Sequence, residues 1–298
     1  MKKSITLAKH AGFCYGVKRA VETTKKIKAE NPIRPICVLG ELIHNSDVIN
    51  ELSDLGIKTV YDVPTCFSND ECGVCVIRSH GLAQSEIDKI AEKGYEVVDL
   101  TCIDVKKVQQ KAMELAKDGS LVIIVGKSEH PEVMAISANA RMFSDDVYVV
   151  SDVDEITDEL SSKIRMAKSV GVVSQTTQQI ENLQKIVAAL TALTKELKVY
   201  NTICASTSKR QNEARELAKN SDLMVVVGSK KSANTTHLAE ILKNITQTIH
   251  IENEQELDSY AKIVSKAVSI GVTAGASTPQ NVIDSVLKKL EIQQNHNL

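Results

Sequence analysis

The strongest constraint on what this chain can fold into is a unit that recurs three times in fixed order. A short β-branched run leads to a cysteine and then to a helical stretch: 4–8 to Cys14, 96–100 to Cys102, and 198–203 to Cys204. The apolar residues that follow are spaced for one face of a helix, Val17, Ala20, Val21 and Ile27 in the first copy, Val105, Val108, Ala112 and Leu115 in the second, Ala214, Leu217 and Ala218 in the third. About one turn after each cysteine comes a basic pair, Lys18-Arg19, Lys106-Lys107 or Lys209-Arg210.

The register continues beyond the helices. A second apolar strand ends at Gly40, Gly126 and Gly228, which lie 26, 24 and 24 residues after their cysteines. Each glycine opens a polar loop, 41–45, 127–132 or 229–234, and a later strand in each copy ends in a second polar loop at 78–81, 174–178 or 273–278. Strands alternating with helices imply parallel sheets, and self-similarity on this scale implies a repeat architecture. The expected fold is α/β, with three similar four-stranded parallel-sheet units. Their expected bounds are 15–101, 102–203 and 204–290, the last completed by an N-terminal strand from 1–14.

Composition narrows the function classes. Lys and Arg number 36 against 38 Asp and Glu, a net charge of −2, and aromatics are 3% with no Trp. A dedicated nucleic-acid binder usually carries a basic surplus and stacking platforms, so no nucleic-acid partner is expected. The opening apolar run stops at Lys9-His10, short of a targeting core, and no run approaches a spanning length. The expectation is therefore a cytoplasmic protein with no membrane partner. Seven cysteines in a reducing compartment suit free thiols, metal ligands or catalytic groups better than a disulfide framework.

In open parallel sheets, the loops beyond the carboxyl ends of the strands form the binding crevice. If the units meet there, Cys14, Cys102 and Cys204 converge with His44, His80, His130, Glu132, Thr176, Ser232, Asn234 and Ser277. Three thiolates can hold zinc or an iron–sulfur cluster. Structural zinc usually takes four ligands in short local pairs, whereas one cysteine per unit is the pattern of a [4Fe–4S] cluster that lacks its fourth cysteine. The neighbouring cations and helix starts would lower the thiol pKa values and offset the charge of the cluster. Imidazoles, hydroxyls and an amide at helix starts supply donors for a diphosphate, and no P-loop or dinucleotide fingerprint implies a nucleotide. Glu132, two residues past His130, would have its pKa raised by nearby anions and serve as a proton donor. Cys66, Cys72 and Cys75 have the spacing of a zinc knuckle, yet Cys75 falls in the apolar run 74–77. Cys37, also inside a strand, reads as core.

Nine strings then carry a resemblance. They are 11–17 (AGFCYGV), 40–45 (GELIHN), 79–81 (SHG), 99–102 (DLTC), 130–132 (HPE), 175–177 (QTT), 202–204 (TIC), 227–230 (VGSK) and 273–277 (TAGAS). In this order, across essentially the whole chain, they resemble the LytB/IspH family of 4-hydroxy-3-methylbut-2-enyl diphosphate reductases. The resemblance implies a trefoil of the three units with pseudo-threefold symmetry around a central [4Fe–4S] cluster, held by Cys14, Cys102 and Cys204 with one iron open. It implies a substrate diphosphate among His44, His80, His130, Ser232, Asn234 and Ser277. It also implies a two-electron, two-proton removal of the hydroxyl as water, giving isopentenyl and dimethylallyl diphosphate, the last step of the non-mevalonate isoprenoid pathway. Glu132 corresponds to the proton donor, Thr176 to a substrate-binding residue that orients it or the substrate hydroxyl, and His130 stands with them in the catalytic set. Many family members carry Ser where Ala233 stands, so Ala233 can contribute only its backbone. Reduced ferredoxin or flavodoxin is the implied electron donor. Two rivals remain: a non-redox dehydratase built like quinolinate synthase, and a cluster carrier or sensor without a substrate.

Overall fold

The computed structural model describes residues 4–63 and 73–295. Twelve strands and eleven α-helices alternate through these residues. The first part of the chain runs β1 (Ser4–Leu7), α1 (Tyr15–Glu30), β2 (Ile36–Leu39), α2 (Ser46–Asp54), β3 (Ile57–Val60), β4 (Val74–Ile77), α3 (Gln84–Glu92) and β5 (Glu96–Asp99). The middle runs α4 (Ile103–Lys117), β6 (Leu121–Val125), α5 (Pro131–Arg141), β7 (Val147–Val150), α6 (Asp158–Met166), β8 (Val170–Ser174), α7 (Ile180–Thr191) and β9 (Leu197–Val199). The last part runs α8 (Ala205–Ala218), β10 (Leu223–Val227), α9 (Ala233–Lys243), β11 (Gln247–Ile251), α10 (Ala261–Lys266), β12 (Ser269–Ala274) and α11 (Gln280–Asn295).

The strands form three four-stranded sheets, ordered β3-β2-β4-β5, β7-β6-β8-β9 and β11-β10-β12-β1, and every pairing is parallel. The expected α/β class with three similar parallel sheets is thus what the chain adopts. Central strands β2, β4, β6, β8 and β10 are buried at every position, as their unbroken apolar runs require when helices cover both faces. In the β6 sheet, Val122 and Ile124 pack with α4 and α5 residues Val108, Ala112, Val133 and Ile136. Leu121, Ile123 and Val125, on the other face, meet Leu160, Ile164 and Ile186.

The chain divides into two compact units. One is drawn from the described residues of Met1–Lys18, Ile43–Glu51 and Ala205–Leu298, and contains the β11-β10-β12-β1 sheet. The other takes Arg19–Leu42 and Leu52–Cys204 and contains the other two sheets. From the central pairs β2 and β4, and β6 and β8, the connections lead to opposite edges of the sheet; in the third sheet β10 leads to β11 on one edge, while β12 lies beside β1 on the other. That reversal of strand order is the topological switch point, where the departing loops separate and leave room for a ligand. Among the described residues, no helix is long and apolar enough to cross a membrane.

Candidate functional site

The switch-point loops carry most of the polar residues singled out above. In the first unit, β10 and β12 run side by side until Val227 pairs with Ala274, and their loops depart at Gly228 and Gly275. A side chain at Gly275 would place its Cβ 1.9 Å from Thr235 Oγ1, so only glycine lets that loop pass so close to α9. Ser232 is the N-cap of α9 but makes no side-chain capping bond. Ser232, Ala233, Asn234 and Ser277 are all buried. Asn234 Nδ2 and Ser277 Oγ have no hydrogen-bond partner among the described residues. A buried donor without a partner costs about 1–3 kcal/mol, so these two are suited to receive an acceptor from outside the chain. A phosphate oxygen at a helix N-terminus is such an acceptor.

Cys14 lies in the same unit, just ahead of α1, and its N–H donates to Ala276 O at 3.2 Å, beside Ser277. The other two cysteines repeat this bond in the second unit. Cys102, the N-cap of α4, donates its N–H to Ser79 O at 3.0 Å, and Cys204 donates to Thr176 O at 2.9 Å. Each cysteine thus follows the edge strand next to a switch point and is tied to the loop beyond β12, β4 or β8. All three are half-buried, and none of them is in a disulfide. The Sγ of Cys204 also donates to Asp104 Oδ2 at 2.9 Å.

The second unit assembles a proton-handling group. Glu132 stands in the first turn of α5, with Pro131 at the first helical position and His130 as N-cap. Its carboxylate accepts from Thr176 N at 2.6 Å and from Thr176 Oγ1 at 2.8 Å. Burial pushes its pKa up to about 7, against the lowering effect of the two Thr176 bonds. The sequence points to neighbouring anions as a cause of such a rise; in the folded chain, loss of solvent is enough. His130 Nδ1 accepts from the Glu132 N–H at 3.2 Å, which places any proton of a neutral ring on Nε2. The rings of His80 and His130 meet edge to face at 5.3 Å. His44 belongs to the first unit, half-buried in the loop after β2 and just before Asn45, whose Oδ1 caps α2 by accepting from Val48 N.

Other residues depart from expectation. Four of the six cations after the cysteines have partners other than a sulfur: Lys106 pairs with Asp99, Lys107 with Asp104, and Arg19 and Arg210 donate to backbone carbonyls. Asp104, beside Cys204, was not singled out by any spacing. Cys37 and Cys75 are fully buried register partners on β2 and β4, and their mutual hydrogen bond and burial push the Cys75 thiol up. Cys75 is thus core material. Cys66 and Cys72 lie outside the described residues.

The geometry defines an α/β protein of three parallel sheets, with a cysteine tied to each switch-point loop, a buried carboxyl titrating near neutrality and unsatisfied donors suited to an anion. The family model described as LytB protein matches residues 5–291. The chain belongs to this family. A relative from Syntrophotalea carbinolica, 41% identical over 96% of this chain and 98% of its own length, is named 4-hydroxy-3-methylbut-2-enyl diphosphate reductase. One from Geotalea uraniireducens, 41% identical with 96% of each chain covered, bears the same name. A solved structure of (E)-4-hydroxy-3-methyl-but-2-enyl diphosphate reductase, described as the terminal enzyme of the non-mevalonate pathway, superposes with a TM-score of 0.70. It is 34% identical, with 97% of this chain and 99% of that one covered. The Plasmodium falciparum E-1-hydroxy-2-methyl-but-2-enyl-4-diphosphate reductase shares the fold, with a TM-score of 0.84 at 24% identity over 97% and 88% of the two chains.

Proposed function

We propose that this chain is a cytoplasmic iron–sulfur oxidoreductase that converts 4-hydroxy-3-methylbut-2-enyl diphosphate to isopentenyl and dimethylallyl diphosphate. The observation that carries the reading is Glu132, a buried carboxyl that titrates near neutrality and is held by both donors of Thr176. A carboxyl tuned in this way is a general acid at physiological pH. Family membership and the names of the relatives support the substrate class.

The residues fit the cofactor. Three cysteines outside any disulfide, at equivalent strand-to-helix turns, form a soft donor set with one ligand fewer than an iron–sulfur cluster usually has. Cys14, Cys102 and Cys204 would hold a [4Fe–4S] cluster, with the units 15–101, 102–203 and 204–290 plus the strand from 1–14 arranged about it as a trefoil. When bound, the cluster supplies electrons and a Lewis-acidic iron.

The chain's own residues supply the rest. Ser232, Asn234 Nδ2, Ser277 Oγ and the first N–H groups of α9, with Ala233 contributing only its backbone, bind the diphosphate together with His44 and His80. His130 donates from Nε2 to an anionic oxygen while Nδ1 remains on the helix. Thr176 orients Glu132, which gives its proton to the departing hydroxyl so that it leaves as water. A second proton and two electrons complete the new C–H bond, and the electrons come from a reduced ferredoxin or flavodoxin.

Anaerobic reconstitution with iron and sulfide, followed by product analysis, tests the reading. Both isomeric diphosphates should form with a low-potential reductant and none without it. Turnover that needs no reductant would favour the dehydratase. A loaded cluster with no turnover would favour a carrier or sensor.

A further inference from the structure

Arg210, on α8, is 3% exposed, and its guanidinium donates to three backbone carbonyls in the first unit. They are His10 O, Gly12 O at 2.9 Å and Ala274 O at 2.9 Å. Gly12 lies two residues before Cys14 and has φ +86, a conformation that glycine adopts without strain. Ala274 ends β12, two residues before the Ala276 carbonyl that accepts the Cys14 N–H and three before Ser277. One fork therefore grips both the approach to Cys14 and the approach to Ser277.

A second arginine repeats the device in the other unit. Arg19, on α1, donates to Leu100 O at 3.3 Å and Thr101 O at 2.7 Å, the two residues before Cys102. The approach to Cys204 is held instead by Thr202, whose Oγ1 donates to Ser174 O at 2.6 Å and accepts from Ser174 N at 2.8 Å. The sites are not interchangeable. Only guanidinium offers five donors in a rigid plane, so only arginine can bridge three carbonyls on two segments at once.

We propose that Arg210 is a positioning residue that fixes Cys14 and the Ser277 loop as one body, coupling metal retention to diphosphate binding in the first unit. The coupling rests on the reading of Cys14 as a cluster ligand and Ser277 as a diphosphate donor. The bracing of 10–14 does not depend on that reading.

The test uses the full chain with Arg210→Lys and Arg210→Met. In metal-free protein, amide exchange at 11–16 should quicken by about tenfold or more in Arg210→Met, the loss expected for one charge-assisted bond, with Arg210→Lys between it and the parent. Exchange in β10 should stay unchanged. Unchanged exchange at 11–16 in Arg210→Met would overturn the brace. Should that variant fail to fold, Arg210→Lys, which keeps the charge but loses the fork, decides: faster exchange supports the brace and parental exchange overturns it. In reconstituted protein, iron release to a chelator should quicken and the Kd for inorganic diphosphate should rise in the same variants. Faster exchange with unchanged iron release would overturn the coupling. A parent chain that never retains iron would sink the functional reading while leaving the exchange result to judge Arg210.

Discussion

Replacing Glu132 with Gln separates the carboxyl's cost to the fold from its use in chemistry. A rise from the ordinary 4.5 to about 7 is worth about 3 kcal/mol for this fully buried group. The sign follows from the direction of the shift. The unfolded chain ionises this carboxyl from 4.5 upward and the folded chain only near 7, so the associated stability is full below 4.5 and is lost as pH rises through 7. Gln keeps the shape, its carbonyl can accept from Thr176 N–H, and its amide can donate to Thr176 Oγ1 once that hydroxyl turns. The variant should therefore gain on the parent as pH rises, by up to about 3 kcal/mol above pH 7.5, in urea titrations at pH 5, 7 and 9. A stability difference that stays constant across that range would refute the burial argument. Turnover should fall by about 10²- to 10⁴-fold, the usual worth of a positioned general acid, with iron content retained.

Three further outcomes follow from the same geometry. Thr176→Val removes the Oγ1 donor that pulls the Glu132 pKa down, so the alkaline limb of the rate profile should move to higher pH; a limb that stays in place would show that the limb reports another group. Ser277→Ala deletes an unsatisfied hydroxyl, so the chain itself should lose little or no stability while the Kd for the substrate diphosphate rises about tenfold in calorimetry. Unchanged affinity would remove Ser277 from the anion site. Gly275→Ala should destabilise by more than about 1 kcal/mol in thermal melts, because its Cβ would meet Thr235 Oγ1; a neutral result would mean that α9 can yield.

Much of this architecture was legible because it rests on periodic burial. The apolar runs at 121–125 and 223–227 read as strands covered on both faces because they are short, rich in β-branched residues and followed by glycine, and those glycines mark where the chain turns at a switch point. The cysteines stood out because their spacing repeats. Interactions formed by direction, not by period, left no trace in the sequence. The Cys204 Sγ to Asp104 bond joins residues 100 positions apart, and Arg210 reaches carbonyls that every residue possesses, so neither has a residue-type signature. The basic pairs stand out in the sequence for their charge, but nothing there shows that Lys106 and Lys107 pair with carboxylates or that Arg19 and Arg210 donate to backbone carbonyls. The sequence points to like charges as a cause of the raised Glu132 pKa; burial at the start of α5 raises it without them, a quantity that only coordinates reveal.

The most direct measurement of the account is iron and acid-labile sulfide per chain, with electronic spectra, for the parent and for Cys14→Ser, Cys102→Ser and Cys204→Ser after identical anaerobic reconstitution. The account predicts about four irons and four sulfides in the parent and a marked loss in every single variant, because each thiol supplies one ligand to the same cluster. A parent without iron, or any one of the three variants with parental iron, sulfide and spectrum, would contradict it.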